Sequence, residues 1–277
     1  MQPPAPAKVV LGISACLVGE AVRWDGGHRA DWFPQELMPV WVSLRPVCPE
    51  AAIGLGVPRP PIRLEAGPME PAVRRFGAEA DGADLGPRLR AFAHEVALDD
   101  DLDGFVLAPR SPSCGLDRVP VHVSTRGTVE VVAKGNGAFA AGLVTVRPEL
   151  PRIEGPELVD DDCRRAFLER IRIGAWWRRR AGQSERLAAL APLEAVLRSR
   201  GPAAASQLRR EPTPAMLDAL LEEAVTATAQ TAALAFLGQA SDGIAARVLA
   251  GELTVDAARA AAEDARVFDD PLFWGCA

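Results

Sequence analysis

The stretch GFVLAPRSPSCG, residues 104–115, runs from an apolar segment straight into a bend holding two prolines, a cysteine and a glycine. A short apolar run closed by turn residues reads as a strand buried on both faces, the kind that parallel sheets contain. Working outward, three more runs have the same character: VVLGISAC (9–16), VSLRPVC (42–48) and GLVTVRP (142–148). Helical patterns lie between them at 31–44 and 83–101, and VPVHVST with TVEVVAK (119–134) reads as a hairpin pair. Strands alternating with helices imply an α/β fold built on a mostly parallel, doubly wound (Rossmann-like) sheet.

From about residue 160 the chain turns Ala-, Leu-, Arg- and Glu-rich with apolar residues at helical spacing. The expected organisation is therefore an α/β domain over 1–150 and an all-α domain over 151–277. The joint falls in RPELPRIEGPELVDDD (147–162), where Asp160, Asp161 and Asp162 suit the positive end of the next helix. Beyond residue 185 the Ala/Leu stripes read as a small helical bundle, closed by the apolar tail DPLFWGCA.

The 277 residues carry a formal net charge of -6, which argues against non-specific binding of nucleic acid by the whole surface. No apolar run is long enough for a membrane span, and the first residues lack the pattern of a secretory signal, so a cytoplasmic protein is expected. In that compartment five cysteines at wide spacings read as inert, metal-binding or catalytic rather than disulfide-bonded.

Cys16 closes the first predicted strand, Cys48 the second, and Cys114 follows the third. Open α/β sheets bind ligands beyond the carboxyl ends of their strands, so three thiols fall where such a sheet builds its site. Their separations exclude a local CxxC finger. Two readings stay open on the residues alone: three small buried hydrophobes, or three ligands converging from three strand tips. Glu50, two residues past Cys48 and behind Pro49, is either a carboxylate at a helix N-terminus or an acid/base group facing the crevice. In KGNGAFAAG (134–142), Lys134 is one of two lysines in the chain, and the backbone N–H groups around Gly135 and Gly137 suit a phosphate.

The motifs ISACLVGEAVRWDGG, RPVCPE, APRSPSCG and GNGAFAAGLV, in that order over about residues 8–150, resemble those of the TudS-type thiouracil and thiouridine desulfidases. The resemblance implies a [4Fe-4S] cluster held by Cys16, Cys48 and Cys114, with one iron not ligated by protein. It further implies sulfur removal from a thiolated pyrimidine base, nucleotide or transfer-RNA thiouridine, with release of hydrosulfide and no net electron transfer. An open iron is a Lewis acid, and iron prefers the thiocarbonyl sulfur to oxygen. Glu50 and Ser111 carry the catalytic roles by the same resemblance. Ser14, Arg23, Asp25, Ser113, Lys134, Gly135 and Gly137 are assigned to substrate binding, and Trp24 stands where the family often has tyrosine.

Family members often carry a helical second domain, in some associated with transfer RNA. The Arg-rich stretch 164–180, with Trp176 and Trp177, therefore reads either as a solvated helix face or as a nucleic-acid surface that stacks a base. A homo-oligomer is compatible with the bundle. Two other classes of function remain: a non-catalytic iron-sulfur sensor, and a zinc-dependent hydrolase with a Cys3His site completed by His28.

Overall fold

A computed structural model describes residues 9–30, 42–75, 82–99, 101–125, 128–178, 187, 196–201 and 203–222. They divide into two compact units, one of residues 11–30 and 44–158, the other of 159–222 with 9–10 and 42–43.

The first unit carries eight strands: β1 (Val10–Ser14), β2 (Ser43–Val47), β3 (Ile62–Glu65), β4 (Ala72–Arg75), β5 (Leu102–Leu107), β6 (Val119–Thr125), β7 (Thr128–Gly135) and β8 (Arg152–Glu154). Its helices are the single turn α1 (Pro49–Ala52), then α2 (Gly86–Ala97) and α3 (Ala138–Val146). One sheet has the order β2-β1-β5-β8, with β5 and β8 parallel. β5 is buried at every position, Asp103 included, as expected of a strand covered on both faces. Gly12 in β1 makes room for this core, since a Cβ there would stand 2.3 Å from the Phe105 ring. Phe105 meets Phe139 of α3 edge to face at 5.5 Å, and Phe139 also packs on Phe92 of α2 at 5.8 Å.

The run GLVTVRP (142–148) corrects the sequence reading. Residues 142–146 are the second half of α3, and β8 takes the place of the expected fourth strand. Only Gly142 and Leu143 of the run are buried, and an apolar run this short does not separate helix from strand by its period. β-branched Thr145 is accommodated by donating its hydroxyl to the Ala141 carbonyl at 3.0 Å.

A second sheet, β4-β3-β6-β7, extends the architecture beyond the expected single sheet. The predicted hairpin is its β6-β7 pair, antiparallel from Val119↔Gly135 to Thr125↔Thr128. β3 and β4 form a further antiparallel pair, and β3 joins β6 in parallel. The inward face carries Ile62, Leu64, Val73, Val119 and Val121, packed with Leu85 and Leu89 at α2 and with Ile53 after α1. The helix expected over 31–44 lies for residues 31–41 outside the described residues, and β2 begins at Ser43.

In the second unit, α4 (Asp161–Arg178) opens at Asp160, whose Oδ1 accepts the Cys163 N–H at 2.9 Å. Residues 196–200 are helical, followed by α5 (Ala204–Arg210) and α6 (Pro214–Glu222). Ile173, Trp177, Val196, Leu197, Leu208, Leu217 and Leu221 form their common core. The described part of 164–180 packs within the unit. Trp177 is fully buried and has no face to offer a base, and Arg164 and Arg172 are buried too. Arg170 grips Asp218 with two hydrogen bonds of 3.0 and 2.9 Å, and buried Glu169 pairs with Arg200. Arg170 and Arg200 thus join helices to one another. The side chains of Arg165 and Trp176, residues 179–180, and the bundle and tail expected beyond 222 lie outside the described residues. Among the described residues no helix is long and apolar enough to cross a membrane.

Candidate functional site

The tips of β1 and β2 and the loop after β5 surround a cavity of about 310 Å3. Cys16, Cys48 and Cys114 line it together with Glu50, Ser111, Ser14 and Arg23, so seven of the residues expected in the site share one wall-to-wall space. None of the three cysteines is in a disulfide.

Each thiol is delivered by a short backbone device. Ser14 ends β1, and Cys16 sits in the single 3-10 turn that follows; its carbonyl accepts the Arg29 N–H at 2.9 Å. Cys48 caps α1, with Pro49 at the first helical position, where the missing N–H has no partner to lose. That one turn is long enough to set Glu50 beside Cys48. Cys114 stands in a tight turn in which Ser111 Oγ accepts the N–H groups of Cys114 at 3.1 Å and Ser113 at 3.3 Å, while the Ser111 carbonyl accepts the Gly115 N–H at 2.8 Å.

Helix α3 holds this turn from behind. The N–H groups of Gly137, Ala138, Phe139 and Ala140 donate to the carbonyls of Gly115, Pro112, Ser113 and Ser113 again, at 2.8 to 3.0 Å. The first N–H groups of a helix need acceptors from outside it, and here the cysteine loop supplies them. The N–H of Gly137, expected to face a phosphate, is bonded instead to the Gly115 carbonyl. Gly137 is required for closeness: a Cβ would stand 2.5 Å from the Ser113 carbonyl group and 2.7 Å from the Ser111 oxygen. Lys134 is exposed on β7. Lys134, Gly135, Gly137 and Asp25 are not among the residues that line the cavity.

The polar groups form a directed chain. Ser111 Oγ lies 3.2 Å from Ser113 Oγ, and Ser113 donates its hydroxyl to Glu50 Oε1. The other carboxylate oxygen, Oε2, accepts from Arg59 Nε at 2.7 Å. Ser113 is fully buried behind the wall, so its assignment to substrate contact gives way to a link between Ser111 and Glu50. Ser14 also lines the cavity, but its hydroxyl is turned inward: it accepts the Ala108 N–H at 2.9 Å and bonds to the Cys114 thiol. Asp25 closes its own turn by accepting the Gly27 N–H at 3.0 Å, and that bond, followed by Arg23, holds its carboxyl below the usual range.

Burial dominates two of the thiols, Cys16 and Cys114. It pushes Cys114 far above the ordinary thiol range; the Ser14 bond opposes the shift, and Glu50, Cys16 and Cys48 add to it. Burial and then Cys48 push Cys16 up, against Arg23 and Arg29. The chain alone therefore keeps Cys16 and Cys114 protonated, and a cationic group bound by them must displace those protons. Among the described residues no three His, Cys, Asp or Glu side chains converge on a single metal ion. His28 does not line the cavity, and its Nδ1 accepts the Ala30 N–H at 3.2 Å, so the Cys3His zinc site finds no support in the geometry.

Arginine is what the sequence reading missed. Arg29, Arg59 and Arg110 join Arg23 around the cavity. Arg59 lies between prolines in GVPRPP, and Arg110 has a left-handed backbone, φ 59°, in the loop ahead of Ser111.

The sequence model described as 2-thiouracil desulfurase matches residues 11–154, which span all eight strands except the first residue of β1. The chain belongs to the 2-thiouracil desulfurase family. Cys16, Cys48, Glu50, Ser111 and Cys114 all lie inside the segment that the desulfurase family shares. A solved structure described as a [4Fe-4S]-dependent thiouracil desulfidase, TudS, is 24% identical, and the match covers 55% of this chain and 93% of that one with a TM-score of 0.38. No curated protein matches the chain.

Proposed function

We propose that the first unit is a [4Fe-4S]-dependent desulfidase that replaces the sulfur of a small thiolated pyrimidine, base or nucleotide, with oxygen from water and releases hydrosulfide. The observation that carries this reading is the meeting of three free thiols with Glu50 and Ser111 in one cavity of a 2-thiouracil desulfurase family member.

The donor set fits a cluster better than a single ion. Three thiols come from three separate segments, and they do not converge closely enough for one ion. A cubane cluster spreads its iron atoms over its corners and takes thiolates that stand farther apart. Cys16, Cys48 and Cys114 would hold it, leaving one iron without a protein ligand. When bound, such a cluster supplies a soft Lewis acid for the thiocarbonyl sulfur.

The remaining work belongs to the side chains. Ser111 Oγ already accepts two backbone N–H groups, so its own proton is directed to Ser113, and that of Ser113 to Glu50. Both lone pairs of Ser111 Oγ are thus taken, and the proton of the attacking water goes to Oε1 of Glu50, which lines the cavity itself and whose orientation the serine pair sets. The Arg59 contact fixes which carboxylate oxygen receives it. Oxygen enters as water and sulfur leaves as hydrosulfide, so no electron is gained or lost overall. The buried arginines of α4 favour a small-molecule substrate over transfer RNA.

Anaerobic reconstitution of wild type and Cys48→Ala, with iron and labile sulfide counted and hydrosulfide followed from 2-thiouracil and 4-thiouridine monophosphate, tests the reading. About four irons per chain, lost in the variant, with hydrosulfide released, supports it. A full cluster without release from either compound points to the sensor, and bound zinc without iron overturns both.

A further inference from the structure

Arg59 is the most heavily engaged side chain of the cavity, and neither sequence motif nor family reading gives it a task. Its side chain is 3% exposed. Nε donates to Glu50 Oε2 at 2.7 Å, Nη1 to the Gly56 carbonyl at 2.8 Å and Nη2 to the Val22 carbonyl at 2.9 Å. Nη2 also lies 3.9 Å from Cys48 Sγ, which itself stands 3.7 Å from the Val22 carbonyl. The backbone N–H of Arg59 completes the clamp by donating to the Trp24 carbonyl at 2.8 Å.

The other two cavity arginines with polar contacts turn elsewhere. Arg23 pairs with Asp25 at 3.4 Å, and Arg29 Nη1 reaches the Pro109 carbonyl at 3.4 Å. Only a planar guanidinium offers donors in several fixed directions at once, and a buried charge of this kind persists because every direction is answered. Two of those directions end on the groups that the desulfidase reading singles out, a carboxylate and a sulfur two residues apart.

We propose that Arg59 is the positioning residue of this site, locking Glu50 by one carboxylate oxygen while donating to the Cys48 sulfur, so that the base and the cluster ligand keep a fixed separation. The inference rests on the desulfidase reading for the role of Glu50. Its consequence for Cys48 does not depend on turnover. Hydrogen bonds to cluster sulfurs tune the reduction potential, so removing this donor changes a property of the cluster itself.

The test compares wild type, Arg59→Lys and Arg59→Gln as reconstituted full-length chains. Iron content, circular dichroism, the reduction potential of the cluster, and kcat and KM for 2-thiouracil are measured on each. The expected result for Arg59→Gln is a full cluster with a lowered potential, kcat down about 10- to 100-fold and KM little changed. Arg59→Lys keeps the charge without the fork, so its potential stays nearer to wild type while kcat remains depressed. Wild-type kcat and potential in Arg59→Gln would overturn the proposal. If Arg59→Gln does not load iron, Arg59→Lys decides, and full turnover per cluster there overturns it as well. A wild-type chain with a full cluster and no hydrosulfide release would instead sink the desulfidase reading; an unchanged potential in Arg59→Gln would then still overturn the role at Cys48, and a lowered one would uphold it.

Discussion

The carbonyl of Ser113 accepts two hydrogen bonds from helix α3, one from Phe139 at 2.9 Å and one from Ala140 at 3.0 Å. The loop that carries Cys114 is thus built onto a helix end, and the position of the thiol depends on how closely that end approaches.

Gly137→Ala therefore tests the mounting of the loop. Its Cβ would meet the Ser113 carbonyl group at 2.5 Å, backbone that cannot swing aside as a side-chain tip would. We expect a loss of about 1–3 kcal/mol in denaturant unfolding. Iron content after reconstitution should fall in the same variant. Stability and loading both equal to wild type would show that the loop accommodates the methyl group.

Glu50→Gln keeps the shape of the side chain and removes the base. Hydrosulfide release is expected to drop by about 10²- to 10⁴-fold with iron content unchanged. Release near the wild-type rate would remove Glu50 from the proton path.

Ser113→Ala breaks the middle of the chain from Ser111 to Glu50 without altering the cavity wall, since Ser113 is fully buried behind it. We expect kcat to fall by about 10²-fold or more with KM nearly constant. A rise in KM alone would mean that this hydroxyl serves binding instead.

Phe105→Ala removes the ring that fills the space left by Gly12 and packs against Phe139. A loss of about 3–5 kcal/mol is expected on chemical denaturation, because the ring is buried on every side. A loss under about 1 kcal/mol would mean that the sheet and α3 close the gap.

Asp25 gives the pH dependence its sign. Its carboxyl is held below the usual range first by the Gly27 N–H and then by Arg23, so the folded state favours the ionised form. This contribution is fully present above the unfolded carboxyl value of about 3.9 and is lost as pH falls through the lower folded value. The acid limb of a stability-versus-pH curve should be shallower in Asp25→Asn. Identical limbs would show that the turn gains nothing from the charge.

The three thiols were legible because each ends an apolar run at a turn, and a sheet gathers its strand tips on one side. Glu50 was legible from its place two residues after Cys48. The helical nature of 142–146 was not, because five residues are too few to show a period, and the β-branched Val-Thr-Val run favours the wrong element. β3 and β4 escaped because four residues each, half of them charged or polar, give too short an alternation. The role of Arg59 depends on contacts with residues 22, 24, 48, 50 and 56, and nothing in GVPRPP announces such partners. In the second unit, charge count misled: an arginine on an amphipathic pattern looks solvated until the helix that carries Asp218 is known to lie against it.

Four arginines and a single carboxylate border the cavity of a chain whose formal net charge is -6. An anion approaching this opening meets guanidinium groups on its rim although the chain as a whole is negative, and low-dielectric walls there concentrate the field. Encounter with a negatively charged substrate is thus a guided event, and its bimolecular rate should decline as added electrolyte shortens the range of the attraction. An uncharged substrate of the same shape would arrive by diffusion alone, indifferent to ionic strength.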